Sequence, residues 1–170
     1  MRHHGLYVFC GLPGVGKSTL AQGLATRLGA VYLRIDTIEQ ALRDLCAAEL
    51  TVEGYLLAHR LAADNLRLGR SVVADSCNPV ALTREQWRRV AVGQDVHCRD
   101  IEVICSDPEE HRCRVESRSP EVAGLKLPDW PAVQAREYHA WPPGDAPLRI
   151  DTAGRTPEEC LEELWQKLDR

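Results

Sequence analysis

The sequence predicts an α/β protein in which helices cover a parallel sheet. Short apolar runs of strand length alternate along the chain with longer segments whose apolar residues recur at helical spacing. A glycine-rich loop joins the first of these strands to the first helix. The length of 170 residues fits one core, so we expect a single domain over residues 1–170.

The first elements are a strand, a helix and a second strand. Residues 5–10 are almost continuously apolar, as expected of a strand that is buried on both faces. A helix follows from about Lys17 to Leu28, and Gly29 marks its C-terminal end. Residues 30–35 predict the second strand, because they are short, apolar and bounded by a glycine and a polar residue.

The middle of the chain is predicted to be mostly helical. Helical apolar spacing runs through residues 36–68, with a weak point near Gly54. Residues 71–75 are apolar up to a final aspartate and predict a third buried strand. Thr83 is the expected N-cap of a helix over residues 84–92.

The last part of the chain predicts two more strands separated by an irregular region. Residues 96–105 form the fourth strand, and Pro108 opens the next helix at a position where proline is tolerated. Prolines and broken periodicity over residues 119–144 predict a mobile flap or an irregular excursion. Residues 148–151 are expected to form a final strand, and residues 157–168 a terminal helix.

Composition and charge narrow the function classes. Apolar residues make up 44% and charged residues 27%, as in soluble globular proteins. The net charge of −4 gives no general attraction to nucleic acid or an anionic membrane, and no apolar run reaches the ~20 residues of a membrane span. The seven cysteines include no C-x-x-C pair, so we expect free thiols and a cytoplasmic location: Cys10, Cys46, Cys77, Cys98, Cys105, Cys113 and Cys160.

A phosphate-binding motif occupies the loop after the first strand. Residues 11–18 read GLPGVGKS and match the pattern G-x-x-x-x-G-K-[ST] at every fixed position. The flanking strand and helix are the context that this motif requires. We predict that the nucleotide contacts come from this loop: Gly11, Pro13, Gly14, Val15, Gly16, Lys17, Ser18 and Thr19.

Each fixed position of the motif has a chemical reason. Glycines let successive N–H groups turn toward phosphate oxygens, and the helix N-terminus adds its partial positive charge. Lys17 reaches the terminal phosphates, and the Ser18 hydroxyl is a ligand for Mg²⁺. The motif therefore predicts binding of a nucleotide, which we take to be ATP, together with Mg²⁺, but it does not define a reaction.

A second short motif needs a separate interpretation. Asp151-Thr-Ala-Gly154 spells the D-x-x-G sequence with which GTPases sense the γ-phosphate. In GTPases this element lies on the strand beside the P-loop strand and precedes an N-K-x-D segment. Here it comes late in the chain, and no N-K-x-D occurs. We interpret it as a strand end followed by a turn.

Three further segments bear polar residues at strand ends or on a helix. Residues 34–37 read RIDT, residues 71–78 read SVVADSCN with TREQW at 83–87, and residues 114–118 read RVESR. Together with the P-loop, they resemble a family of small P-loop kinases that includes zeta toxins, chloramphenicol phosphotransferase and the kinase domain of polynucleotide kinase. The resemblance covers most of the chain up to about Arg118. It implies a nucleoside-kinase-like P-loop NTPase fold with five parallel strands in the order 2-3-1-4-5 and a helical lid within residues 112–144.

The same resemblance implies a role for Asp36. An aspartate at this position in the resembled enzymes accepts the proton of the attacking hydroxyl. Phosphoryl transfer requires a nucleophile aligned with the γ-phosphate and loss of its proton as the bond forms. The residues alone leave a second interpretation open, because an aspartate at the start of a helix is also a common N-cap.

Other candidate site residues follow from the same segments. Asp75 ends an apolar strand and would hold Mg²⁺ through water or orient the acceptor, unless it only starts a turn. Arg114 and Arg118 are one helical turn apart, and the resemblance implies that they clamp the transferred group, although arginines on a helix often form a solvated face. Asn78 and Thr83 are further candidates for contacts with the acceptor.

The acceptor stays open among several classes. A hydroxyl of a small metabolite or antibiotic is the first expectation, because the chain is short and acidic. A polynucleotide 5′-hydroxyl is the second, and it would require residues 84–89 and 112–118 to form one basic groove. A nucleotide sugar is the third. A protein of another class, an ATP-binding regulator with no acceptor, would bind the nucleotide without needing Asp36.

Overall fold

A sheet of five parallel strands forms the centre of the computed structural model, which describes residues 4–47 and 49–169. The strands lie in the order β2-β3-β1-β4-β5, so the predicted order is confirmed. Their bounds are β1 Gly5–Cys10, β2 Val31–Arg34, β3 Val72–Asp75, β4 His97–Ile104 and β5 Leu148–Asp151. Parallel strands end at the same edge of a sheet, and the glycine-rich loop after β1 lies at this edge together with the ends of β2 and β3.

Helices connect the strands, as the alternating pattern predicted. Within the described residues they are α1 Lys17–Leu28, α2 Ile35–Cys46, α3 Glu53–Arg67, α4 Ala81–Gly93, α5 Pro108–Ser117, α6 Trp130–Gln134 and α7 Pro157–Leu168. Strand β1 pairs with β3 on one side and with β4 on the other, so it is central in the sheet. Every residue of β1 is buried, which explains its continuous apolar sequence.

The two faces of β1 contribute to two apolar clusters. Tyr7 and Phe9 pack on one face with apolar residues of α1 and α7. Leu6 and Val8 point to the opposite face, where α3 and α4 pack. This alternation follows the two-residue period of a strand. Because β1 is the central strand, the loop after Cys10 lies at the middle of the edge where the parallel strands end.

The predicted helical stretch of residues 36–68 is divided into α2 and α3. Helix α2 ends at Cys46 and is followed by Ala47, its C-cap, in a left-handed conformation with φ 49°; α3 begins at Glu53. Gly54 therefore lies in the first turn of α3 and not at the break itself. A Cβ atom on Gly54 would lie 2.3 Å from Cγ of Glu39, so glycine permits the close approach of α3 to α2.

The prediction that Thr83 caps α4 is wrong. The helix begins at Ala81 with Val80 as its N-cap, and the Thr83 hydroxyl donates a hydrogen bond to the Val80 carbonyl from inside the first turn. Ala81 and Leu82 are good helix formers, so the helix begins three residues nearer the N-terminus than the capping preference suggested.

Residues 119–144 form the predicted irregular excursion, but their second half is anchored to the sheet. Apart from α6, the segment has no regular helix or strand among its described residues. The buried carboxylate of Glu102 on β4 accepts hydrogen bonds from the Tyr138 hydroxyl (3.0 Å) and Trp141 Nε1 (2.9 Å). The Arg84 guanidinium lies 4.0 Å from the centre of the Trp141 ring. Tyr138 and Trp141 therefore attach the segment to the sheet.

Two findings bear on the compositional expectations. All seven cysteines are free, and burial raises the pKa of the Cys10 thiol, so this side chain stays protonated. Within residues 4–47 and 49–169, no helix combines the length and the apolar character needed to cross a membrane.

Candidate active site

The P-loop adopts a conformation that favours glycine at three of its positions. Gly11, Gly14 and Gly16 all have positive φ angles, of 136°, 86° and 94°. A Cβ atom on Gly11 would lie 2.2 Å from the Val103 carbonyl oxygen, and one on Gly14 would lie 2.5 Å from Cγ2 of Val115. The backbone conformation therefore favours glycine at all three positions, and close packing against β4 and α5 adds a second reason at Gly11 and Gly14.

Hydrogen bonds to its carbonyl groups brace the loop. Lys17 Nζ donates to the Leu12 carbonyl oxygen (2.9 Å), and His111 Nε2 donates to that of Pro13 (2.8 Å). The Thr152 hydroxyl donates to the Val15 carbonyl oxygen (2.9 Å). Two of the donors come from α5 and from the segment after β5, and neither was predicted to belong to the site. These carbonyl groups are thus held by the protein, and the Gly11 N–H donates to the Cys77 carbonyl (3.1 Å), so the N–H groups offered to a ligand are those later in the loop.

The start of α1 fits a phosphate group. Gly16 is the N-cap, and no side chain caps this end of the helix. The first N–H groups of a helix have no partner within the helix, and they carry its partial positive charge. Together with the positive-φ glycines and Lys17, this arrangement has the donors that a nucleotide phosphate requires.

Three adjoining spaces form a continuous trough across the loop. A space of about 270 Å³ lies between Gly16, Arg155 and Pro157. A middle space of about 300 Å³ lies over Lys17 and Ser18. A cleft of about 730 Å³ follows, and Lys17, Ser18, Arg34, Arg118 and Leu127 line both it and the middle space. Gly16, Thr19 and Arg114 line both the first and the middle spaces.

Asp36 lies on the wall of the large cleft. It is the second residue of α2 and is exposed, and Lys17 and Ser18 line the same cleft. Arg34 is the N-cap of α2, so the interpretation of Asp36 as an N-cap is wrong. Because its carboxylate does not cap the helix, Asp36 is available to a ligand in the cleft.

Asp75 ends β3 beside the P-loop strand and faces the same cleft. Its side chain is buried and accepts a 2.6 Å hydrogen bond from the Tyr32 hydroxyl. Burial and the adjacent Asp75 charge both raise the pKa of Tyr32, so this hydroxyl remains a donor. Arg34 Nε lies 3.9 Å from the same carboxylate oxygen. Tyr32 thus fixes the orientation of Asp75, a contact that the sequence did not indicate.

The two candidate arginines have different environments. Arg114 donates hydrogen bonds to the hydroxyl and carbonyl oxygens of Thr152 and forms an ion pair with Glu110. Arg118 is the residue after α5 and lies between the middle space and the large cleft. Its Nε atom is buried and has no hydrogen-bond partner among the residues that the structure describes. The free donor is therefore on Arg118, whereas Arg114 is occupied by the protein.

Further cleft residues lie on one face of α2. Asp36, Glu39, Gln40 and Arg43 follow the spacing i, i+3, i+4 and i+7 and all line the cleft, a periodicity that could have identified them. Thr83 also lines the cleft, as expected. Tyr55, Gln86 and Lys126 also line the cleft, and the sequence analysis missed them. Arg34, from the RIDT segment, and Arg136 line it too.

Asn78 does not reach the cleft. Its side chain is fully buried, and neither polar atom of its amide has a hydrogen-bond partner within the described residues. Its backbone has φ 44°, and its carbonyl oxygen accepts a hydrogen bond from Arg84 Nε (3.1 Å). Asn78 therefore shapes the loop after β3 and is not one of the residues that line the cleft.

The fold and the site define a kinase-like P-loop NTPase. The P-loop follows the central strand of a parallel sheet with the order 2-3-1-4-5, and a large polar cleft adjoins it. The chain belongs to the family described as "AAA domain", whose sequence profile matches residues 6–128.

Relatives and solved structures agree with this class. The chain is 28% identical over 156 residues to a Pyrococcus furiosus protein named "Putative adenylate kinase", covering 91% of this chain and 78% of that protein. Its fold is similar to that of a gluconokinase from Sinorhizobium meliloti, with a TM-score of 0.70, 19% identity and coverage of 100% and 94% of the two chains. The Mycobacterium tuberculosis APS kinase CysC, solved with AMPPNP and APS, gives a TM-score of 0.63 at 19% identity, with 98% of each chain covered.

Proposed function

We propose that this protein is a kinase that transfers the γ-phosphoryl group of Mg-ATP to a hydroxyl of a small-molecule acceptor. The observation that carries the proposal is the continuous trough, in which Lys17, Ser18 and Asp36 line one cleft. A phosphate-binding loop and an exposed carboxylate that line one space are what transfer to a hydroxyl requires. The resemblance to small P-loop kinases supports the same acceptor chemistry, and the composition supports a cytoplasmic location.

The nucleotide occupies the P-loop side of the trough in this proposal. Lys17 leaves the Leu12 carbonyl and contacts the terminal phosphates, and the N–H groups of the loop hold the other phosphate oxygens. The space beside Arg155 receives the adenine. Ser18 and Asp75 would hold Mg²⁺, which neutralises charge on the phosphates when it is bound.

The acceptor occupies the large cleft. Asp36 removes the proton of its hydroxyl as the new bond to phosphorus forms. Arg118, with its free Nε atom, contacts the transferred group and stabilises the charge that develops on it. Arg114 keeps its hydrogen bonds to Thr152 and positions the loop next to the nucleotide, which is a smaller role than the resemblance implies.

The structure does not favour a polynucleotide acceptor. This alternative requires residues 84–89 and 112–118 to form one basic groove. Arg84 is buried against Tyr138 and Trp141, and Arg88 pairs with Asp100. The two arginine groups therefore do not present one free cationic surface.

A nucleoside monophosphate is a second candidate acceptor. The relative from Pyrococcus furiosus carries the name of an adenylate kinase, and the cleft has room for a nucleotide-sized ligand. A phosphate oxygen is already deprotonated at neutral pH, so this reaction needs no general base. Activity with AMP that persists in an Asp36→Asn variant would therefore favour this candidate over a hydroxyl acceptor.

The first experiment is a measurement of Mg-ATP turnover by ADP release against a panel of acceptors. The panel contains a 5′-hydroxyl oligonucleotide, nucleosides, AMP, nucleotide sugars, sugar acids, glycerol 3-phosphate, and phenicol and aminoglycoside antibiotics. We expect one class with a free hydroxyl to stimulate ADP release, and a Lys17→Ala variant to abolish the stimulation. ATP binding without stimulation by any member would instead support a regulatory ATP-binding protein and contradict the proposal.

A further inference from the structure

The large cleft is cationic although the whole chain is acidic. The sequence has 21 Lys and Arg residues against 25 Asp and Glu residues. The walls of the cleft reverse this balance, with three carboxylates (Asp36, Glu39 and Asp75) against six basic side chains: Lys17, Arg34, Arg43, Arg118, Lys126 and Arg136. A local excess of positive charge in an acidic protein indicates that the ligand of this cleft is negatively charged.

Several of these basic groups are already paired within the protein. Arg43 forms an ion pair with Glu39 on the next turn of α2, and Arg34 pairs with Glu121. Lys17 belongs to the P-loop and is assigned to the nucleotide. These pairs leave the positive charges of Arg118, Lys126 and Arg136 without a carboxylate within 4 Å in the described part of the chain.

Arg118 and Arg136 lie close enough to repel each other. Burial is the largest cause that lowers the pKa of Arg118; Asp36 opposes this effect, while Arg34 and Arg136 add to it. The polar contact of Arg136 within the described residues is a 3.2 Å hydrogen bond from Nη1 to the Cys77 sulfur, a weak acceptor. Asp36 and Glu39 offset part of the positive charge around Arg118 and Arg136, and an anionic ligand would offset more of it.

The two arginines differ in position along the trough. Arg118 lines both the space over the P-loop and the large cleft, so it is adjacent to the transferred phosphoryl group. Arg136 and Lys126 line the large cleft but neither of the other two spaces. The position of Arg136 therefore matches an anionic group on the acceptor and not the phosphates of the nucleotide.

We propose that the acceptor carries an anionic group, a carboxylate or a phosphate ester, in addition to its reacting hydroxyl, and that Arg136 binds this group. The inference rests on the proposed function and narrows its substrate class to hydroxylated anions. Guanidinium groups bind carboxylate and phosphate oxygens through charge-assisted, often bidentate hydrogen bonds. Arg136 fixes the acceptor at its charged end, so that its hydroxyl meets Asp36 at the other.

Matched acceptors that differ only in charge test the substrate class. The first pair, D-gluconate and D-glucitol, tests a carboxylate. The second pair, glycerol 3-phosphate and glycerol, tests a phosphate ester. We expect kcat/KM for ADP release to be about tenfold or more higher for the charged member of at least one pair. An equal or higher value for the neutral members would overturn the proposal while leaving the kinase activity established.

An Arg136→Gln variant tests the residue. It should raise KM for the charged acceptor about tenfold with little change in kcat, because the lost contact is made equally in the ground state and the transition state. The control is Arg112→Gln, which removes an exposed arginine that pairs with Glu116 on α5, outside the trough. Equal KM values in the two variants would contradict the role of Arg136.

A binding measurement separates this inference from the kinase proposal. The protein is loaded with Mg²⁺ and AMPPNP to fill the P-loop and is then titrated with inorganic phosphate or acetate in a calorimeter. We expect the anion to bind and Arg136→Gln to weaken binding about tenfold. Absence of binding, or equal affinity in the variant, would overturn the anion site. Binding without any acceptor-dependent ADP release would instead count against the kinase proposal alone.

Discussion

At the scale of single residues, the site depends on how its two aspartates are held. Asp36 is exposed in the first turn of α2 and is available to a ligand, whereas Asp75 is buried at the end of β3 and oriented by Tyr32. An exposed carboxylate exchanges protons readily, and a buried oriented one holds a fixed geometry. These environments match a general base and a metal-binding residue in the proposed reaction.

Replacement of Asp36 tests the general base. In Asp36→Asn the amide cannot accept the proton of the hydroxyl, so we expect kcat for the hydroxyl acceptor to fall roughly 10²- to 10⁴-fold. ATP affinity should be unchanged, because Asp36 lies on the acceptor side of the trough. Steady-state ADP release and ATP titration measure the two effects. Asp64→Asn, an exposed change on α3, is the control, and normal turnover in Asp36→Asn would end the assignment.

Replacement of Tyr32 tests the orientation of Asp75. Tyr32→Phe removes the hydroxyl that donates to Asp75 and changes little else in size. Residues that orient a metal-binding group typically change metal affinity by 10- to 100-fold, so we expect the Mg²⁺ concentration for half-maximal turnover to rise about tenfold. A melting temperature within a few degrees of the original would show that the fold is kept. An unchanged Mg²⁺ requirement would contradict the role of Asp75 in holding the metal.

At the scale of elements, the P-loop is preformed by its neighbours. His111 on α5 and Thr152 after β5 hold loop carbonyl groups, and Val115 packs on Gly14. The loop thus depends on elements that are distant in the chain. Its conformation is part of the folded structure and does not have to form when the nucleotide binds.

A substitution in the loop tests this packing. In Gly14→Ala the new Cβ would meet Val115 at 2.5 Å, and the residue would keep φ +86°, which costs an L-residue roughly 1–2 kcal/mol. We expect ATP affinity to fall about tenfold or more. Gly93→Ala on α4 is the matched control, because a Cβ there meets nothing within 4 Å and its affinity for ATP should not change. Equal titration curves for the two variants would contradict the argument.

The sequence predicts the elements better than the contacts between them. The strands, the P-loop and most helices follow from local apolar patterns and from glycine positions, so their bounds agree with the structure within a few residues. The braces of the loop do not follow from such patterns, because their partners are 98 and 137 residues apart in the chain. The sequence could not distinguish the environments of Arg114 and Arg118 for the same reason, because Arg114 donates its hydrogen bonds to Thr152, 38 residues further along the chain.

At the scale of the whole molecule, a buried carboxylate joins the sheet to the irregular segment. Glu102 on β4 is buried and accepts hydrogen bonds from Tyr138, Trp141 and Arg149. Arg88 adds an ion pair to Asp145. The second half of residues 119–144 is therefore attached to the core at several points, and Arg136 lies just before these anchors.

Removal of Glu102 tests that attachment. Glu102→Ala leaves buried donors without an acceptor, each of which costs roughly 1–3 kcal/mol, so we expect a clear loss in the free energy of unfolding. Urea denaturation measures this loss, and limited proteolysis should show faster cleavage within residues 135–147. Glu116→Ala, which removes only an exposed ion pair, should change stability by less than about 1 kcal/mol. Equal stability and cleavage in the two variants would show that Glu102 does not anchor the segment.

The hydrogen bond from Lys17 to the Leu12 carbonyl has a consequence for how variants of this lysine are interpreted. The same ammonium group would bind phosphate in a nucleotide complex, so nucleotide binding would exchange one partner of Lys17 for another. Lys17→Ala therefore removes the hydrogen bond to the Leu12 carbonyl together with the contact to the nucleotide. Its loss of affinity is the difference between the phosphate contact in the complex and the carbonyl contact in the free protein, so it understates the direct attraction between lysine and phosphate.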